Sequence, residues 1–134
     1  MTLIKSAYLG ELRTRALHEK SGTEIITDAP TDNHGKGEAF SPTDLVCAAL
    51  GSCMSTIMGI HARKHGIELP LFEYTTQKFM QAGPRKIGKV AIYFSFAENS
   101  LSNEEKEILK NAALNCPVAL SMHPDIEQDI SFSF

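Results

Sequence analysis

Three cysteines, Cys47, Cys53 and Cys116, have the widest chemistry open to them in this chain. None belongs to a Cys-x-x-Cys motif, so neither a thioredoxin-type redox pair nor a zinc ribbon is indicated. Cys47 and Cys53 stand six positions apart in an apolar run that reads as helix. On an ideal helix that is roughly 240° around the axis, so at most one of them can share a pocket with Cys116. Cysteine is also among the most buried residue types and behaves as a small hydrophobe, a role that suits Cys47. Cys116 differs, because it precedes Pro117 where a helix must end. His61 and His65 offer a competing chemistry, since i, i+4 spacing puts both on one helical face in a familiar metal geometry. The intervening Ala62-Arg63-Lys64 brings no glutamate, however. A histidine near a helix C-terminus also caps carbonyls and complements the dipole. His34 and His123 fall in loops or turns.

The elements that must position these groups can be read from patterning. Ala7 to His18 alternate roughly between aliphatic and polar residues, with a possible turn at Gly10-Glu11. Ser21-Gly22 is a turn signal, followed by the β-branched strand Thr23 to Asp28 and a polar loop from Ala29 to Phe40. Ser41-Pro42-Thr43-Asp44 forms a capping box with proline at the first helical position, and predicts a helix from Pro42 to His65 that stops at Gly66. So apolar a helix, judged too short to span a bilayer, is expected to be a buried central core helix. Strands are predicted near Phe72 to Gln81 and Lys89 to Ala97, turning around Gly83-Pro84. Ser102 to Glu105 is a second capping box, opening a helix through Ile108, Leu109, Ala112, Ala113 and Leu114. A short turn or helix carries Val118 to Met122, and Ile130 to Phe134 alternate as a final strand. The order βββ-α-ββ-α-β indicates an α+β fold with antiparallel strands.

Bulk properties narrow the function classes. A length of 134 residues suits one domain, 1–134. The net charge is −3, and the 13 basic residues are scattered, with tight pairs only at Arg63-Lys64 and Arg85-Lys86. Nucleic acid is therefore not an expected partner. Met1 to Ser6 hold no long apolar core, and no stretch approaches the ~18 apolar residues of a spanning helix, so no membrane partner and a cytoplasmic, reduced protein are expected. In that compartment a cysteine pair is more often catalytic, redox-sensing or metal-binding than a structural staple.

Two segments carry a family resemblance. Ser41-Pro42-Thr43-Asp44-Leu45-Val46, with Ala48-Ala49-Leu50-Gly51-Ser52-Cys53-Met54, resembles the central-helix signature of the OsmC/Ohr superfamily. Asn115-Cys116-Pro117-Val118-Ala119-Leu120-Ser121 resembles its second signature. The resemblance implies antiparallel sheets wrapped around two long central helices in an intertwined homodimer. It implies thiol-dependent reduction of organic or small hydroperoxides, in oxidative stress defence, recycled by a dithiol reductant without cofactor or metal. Cys53 would be the peroxidatic cysteine and Cys116 its resolving partner. A thiol of ordinary pKa ~8.5 is only a few per cent thiolate at neutral pH, so a cation must assist. Arg13 is the best match to the family's arginine and Arg15 the rival, on the same strand face at a spacing of two. The dedicated peroxidases place a glutamate after the helix-start proline, where this chain has Thr43; Asp44 is the nearest carboxylate, as a replacement or simply as the helix cap. The alternative is a non-enzymatic redox-sensing or ligand-binding member of the family. Phe72, Tyr74, Phe79, Tyr93, Phe94, Phe96, Phe132 and Phe134 fit core or interface strands.

Overall fold

A computed structural model describes all 134 residues. The chain divides into two compact units, Met1–Val46 and Cys47–Phe134. In the first, β1 (Ile4–Gly10), β2 (Arg13–His18) and β3 (Thr23–Asp28) form an antiparallel meander in the order β1-β2-β3. The first turn needs left-handed backbone at Gly10, Glu11 and Leu12, with φ of 82°, 52° and 60°. The β2–β3 pairing runs from His18 opposite Thr23 to Arg13 opposite Asp28. The following loop is tied back by Ala29 N–H to the Leu12 carbonyl at 3.0 Å and Asp28 N–H to the Phe40 carbonyl at 3.1 Å. Ile4, Tyr8, Leu9, Ile25 and Ile26 of this sheet are all exposed. A three-stranded sheet in that condition lacks the apolar cover that independent stability requires.

The second unit holds the core. Helix α1 (Pro42–His65) enters it, starting and stopping at the expected residues, with Gly66 at φ 65° ending it. Ser41 and Asp44 exchange both bonds of the capping box, at 2.9 and 3.1 Å. One stripe of α1 is buried, formed by Cys47, Leu50, Gly51, Met54, Met58 and Ala62. Burying each of its large apolar side chains contributes about 1.5–3 kcal/mol. Val46 and Ile60, by contrast, are exposed. The expectation of a helix buried on most faces is thus corrected, because one sheet can cover only one side of a helix. The expectation about spanning length is corrected too: α1 is long and apolar enough to cross a membrane by length and composition, although 33% of its most apolar stretch is buried in the chain's own fold.

The second sheet has the order β4-β5-β6, comprising β4 (Phe72–Gln81), β5 (Lys86–Phe96) and β6 (Glu127–Ser133). β4 and β5 are antiparallel, but β6 runs parallel to β5. This overturns the expectation of uniformly antiparallel strands. Residues 97–126, which include α2 (Asn103–Leu114) and the short α3 (Pro117–Ser121), make a crossover long enough to bring the chain back in the same direction. Of the helices only α1, with 24 residues, is long; α2 has 12. The Ser102–Glu105 capping box that opens α2 is complete. Phe94 is fully buried at the sheet's centre, stacked on Phe132 at 5.2 Å between ring centroids and edge-on to Phe72 at 5.8 Å. Gly51 lets α1 approach β4 closely: a Cβ there would lie 2.6 Å from Tyr74 Cε2.

Candidate active site

The thiols of Cys53 and Cys116, far apart in sequence, are neighbours within the second unit, close enough for Cys53 to raise the pKa of Cys116. All three cysteines are reduced, with Cys53 half-buried and Cys47 and Cys116 buried. Cys47 belongs to the inward stripe with Leu50 and Met54, and it is Cys53 that neighbours the Cys116 thiol. Cys116 stands between two helices. Its own N–H bonds the Ala113 carbonyl at 3.2 Å, and Pro117, which needs no N–H partner, starts α3. Because Cys116 remains extended as the cap of α3, its sulfur can accept the Ala119 N–H, at 3.4 Å.

Two influences act on the Cys116 thiol. Burial pushes its pKa up, because a thiolate there would lose its hydration; the neighbouring Cys53 pushes the same way, while the Ala119 and Val118 N–H groups pull it down. The net direction is upward, so at neutral pH Cys116 is a thiol.

A second cluster lies wholly within the first unit. Arg13 donates from Nε to Asp28 Oδ1 at 2.7 Å and from Nη2 to Asp28 Oδ2 at 2.8 Å, a bidentate pair. The same Nη2 reaches Glu38 Oε2 at 3.0 Å. Asp28 is 1% exposed, and the Arg13 hydrogen bonds hold its pKa below the usual carboxylate range against the opposing cost of burial. The Glu38 N–H also donates to Asp28, at 3.1 Å. Arg15, the rival, makes only a loose exposed pair with Glu24 at 3.7 Å. The Asp44 carboxylate accepts the Ser41 N–H, while the acids that hold Arg13 are Asp28 and Glu38. Neither acid had been singled out from sequence; the pairing follows from the observed register, in which His18 closes the hairpin opposite Thr23 and counting outward from that pair sets Arg13 opposite Asp28. On the far end of α1, the His61 and His65 rings lie nearly parallel, 6.0 Å apart, rather than converging on a shared point. His65 Nδ1 donates to the His61 carbonyl at 2.9 Å.

An α+β chain of two three-stranded sheets, with a helical cysteine touching a Cys-Pro cysteine beyond the second helix, defines a narrow class of protein. The OsmC-like protein family profile matches residues 35–131, and the chain belongs to that family. A solved structure from Psychrobacter arcticus 273-4, provisionally described as an osmotic stress induced and detoxification response protein, is 49% identical over 99% of this chain and 96% of its own, with a TM-score of 0.92. An organic hydroperoxide resistance protein from Legionella pneumophila shares the fold at 20% identity, covering 100% of this chain and 97% of its own, with a TM-score of 0.78. One from Elizabethkingia anophelis does so at 15% identity, covering 99% and 96%, with a TM-score of 0.76. A search of curated proteins returned no match.

Proposed function

We propose that this protein is a cysteine-based peroxidase that reduces organic or small hydroperoxides and is recycled by a dithiol. The observation that carries this reading is the juxtaposition of the half-buried Cys53 thiol and the buried Cys116 thiol. The Cys53 thiolate attacks the outer peroxide oxygen, the O–O bond breaks, and the alkoxide takes a proton to leave as alcohol. Cys53 is left as a sulfenic acid. Cys116 attacks that sulfur, forming the disulfide and releasing water. The dithiol then returns two electrons and two protons.

In this reading the thiolate needs a cation, and Arg13, the match to the family's arginine, is held by Asp28 with Glu38, which take the place of the glutamate that position 43 lacks. The bidentate grip of Asp28 sets the guanidinium plane, while Nη1 has both of its N–H donors outside these bonds. Leu114 and Leu120, exposed on either side of Cys116 in sequence, favour an apolar peroxide. A homodimer is part of the proposal, because the exposed β1–β3 sheet and the outer face of α1 both call for cover. A cytoplasmic location and a place in oxidative stress defence complete the proposal.

The test is consumption of cumene hydroperoxide with dithiothreitol as donor. Wild type should turn over, and Cys53→Ser should be inert. Cys116→Ser should form a sulfenic acid once, detectable by dimedone labelling, and lose the disulfide. Full turnover by Cys53→Ser would refute the reading.

A further inference from the structure

β6 carries one residue that its alternating pattern does not explain. Positions 128, 130 and 132 are half-buried between exposed neighbours, and the first of them is Gln128 beside Ile130 and Phe132. Gln128 stands opposite Val90 of β5, a fully buried position. An amide on an apolar face must find a partner or lose free energy. Gln128 Nε2 donates to the carbonyl of Ala119, at 3.0 Å. Ala119 is the residue whose N–H points at Cys116 Sγ. β6 therefore holds α3 at the residue whose N–H donates to the buried sulfur at 3.4 Å.

The two sulfurs differ in access. Cys116 is 0% exposed, whereas Cys53 is only partly covered. An external thiol meets Cys53 first.

We propose that Gln128 is a positioning residue for Cys116: by gripping Ala119 it fixes the amide that stabilises the Cys116 thiolate, so that a dithiol opens a Cys53–Cys116 disulfide by attack at Cys53 with Cys116 as the leaving sulfur. The assignment rests on the peroxidase reading for its biological setting, and on the thiol contact alone for its chemistry. The donor's thiolate forms a bond to Cys53 Sγ, the protein S–S bond breaks, and its electron pair departs on Cys116 Sγ. That thiolate accepts the Ala119 N–H and then a proton from solvent. The donor's second thiolate displaces Cys53 from the mixed disulfide, leaving a cyclic donor disulfide and two protein thiols. A leaving sulfur of lower basicity departs faster, so the hydrogen bond acts on this step directly.

The experiment uses the full chain oxidised with diamide, so it does not depend on peroxide turnover. Brief reaction with glutathione, acid quench and peptide mapping should find the adduct on Cys53 and a free thiol at Cys116. Gln128→Leu, which keeps the volume but donates nothing, and Gln128→Glu, which keeps the shape but offers only oxygen, should both open roughly three- to tenfold more slowly. In the reduced variants the rate of Cys53 alkylation should match wild type, a readout that a general loosening of the fold would move. Glutathione on Cys116, or equal opening rates in wild type and both variants, would overturn the proposal. A changed rate of Cys53 alkylation, faster or slower, would reduce Gln128 to a merely structural residue and overturn it as well. A protein in which diamide forms no such disulfide loses both this assignment and the peroxidase reading. One that opens as described but leaves hydroperoxide untouched loses only the latter.

Discussion

The close approach of α1 to β4 can be tested by Gly51→Ala. The added Cβ would meet Tyr74 Cε2 at 2.6 Å, Tyr74 Cδ2 at 3.2 Å and Thr76 Oγ1 at 3.4 Å. Ordinary carbon contacts lie near 3.5–4.0 Å, so either the ring or the helix must shift by about 1 Å. The ring is flanked by Phe94 at 5.2 Å and Phe72 at 6.5 Å between centroids but is partly exposed, so it can take up some of the strain. Overpacking of this kind costs about 1–3 kcal/mol, and alanine's higher helix propensity returns about 1 kcal/mol. The net expectation is a destabilisation of about 0–2 kcal/mol. Since the intrinsic gain obscures the clash in the single variant, the informative measurement is a double-mutant cycle with Tyr74→Ser by urea denaturation. Removing the ring should let Gly51→Ala stabilise, giving a coupling of about 1–3 kcal/mol. Additivity within about 0.5 kcal/mol would show that the two residues do not touch, and would refute the packing argument. Cys53 lies two residues along the same helix, so the single variant should also form the diamide-induced disulfide more slowly than wild type.

Other expectations follow from burial and charge. Phe94→Ala, at the centre of the aromatic ladder, should cost about 3–5 kcal/mol in urea unfolding; a loss under about 1 kcal/mol would mean the ladder is not the core. Asp28 has a folded pKa below its unfolded value near 3.9, so its stabilisation is present above about pH 4 and fades as acid titrates the folded carboxylate. Thermal melts stepped from pH 7 to pH 3 should accordingly show the gap between wild type and Asp28→Asn closing below about pH 4. The Cys116 shift has the opposite sense: protection of the thiol holds below its ordinary pKa of about 8.5 and weakens as pH rises beyond it. Iodoacetamide at pH 7 should therefore label Cys53 well before Cys116, and mass spectrometry showing the reverse order would contradict the burial of Cys116.

What could be read in advance was whatever local chemistry determines. Ser41-Pro42 and Gly66 announce the ends of α1, Ser102 and Glu105 open α2, and Pro117 forces the break that frees Cys116. Six helical steps were enough to separate Cys47 from Cys53. Long-range features were less accessible. The parallel β5–β6 pairing depends on where a crossover lands, which strand patterning does not encode. The partners of Arg13 were hidden because Thr43 drew the search for a carboxylate to its chain neighbour Asp44, whereas β2–β3 register brings Asp28 across the sheet. Gln128 lay outside the strand expected from Ile130 to Phe134, and its meaning emerges once β6 is seen to start at Glu127 and to set Gln128 against Ala119. The outward face of α1 was misjudged because apolar composition says that a helix wants cover, not which surface provides it.

The contact between Cys53 and Cys116 has a thermodynamic side as well. A covalent link there would close a ring of chain containing β4, β5 and all of α2. Chain-entropy reasoning for a loop of this span gives roughly 4 kcal/mol of restraint on the unfolded ensemble. The oxidised protein should then melt well above the reduced one, so each molecule would carry a record of its last encounter with oxidant in its resistance to heat and proteolysis, erased whenever a thiol donor arrives.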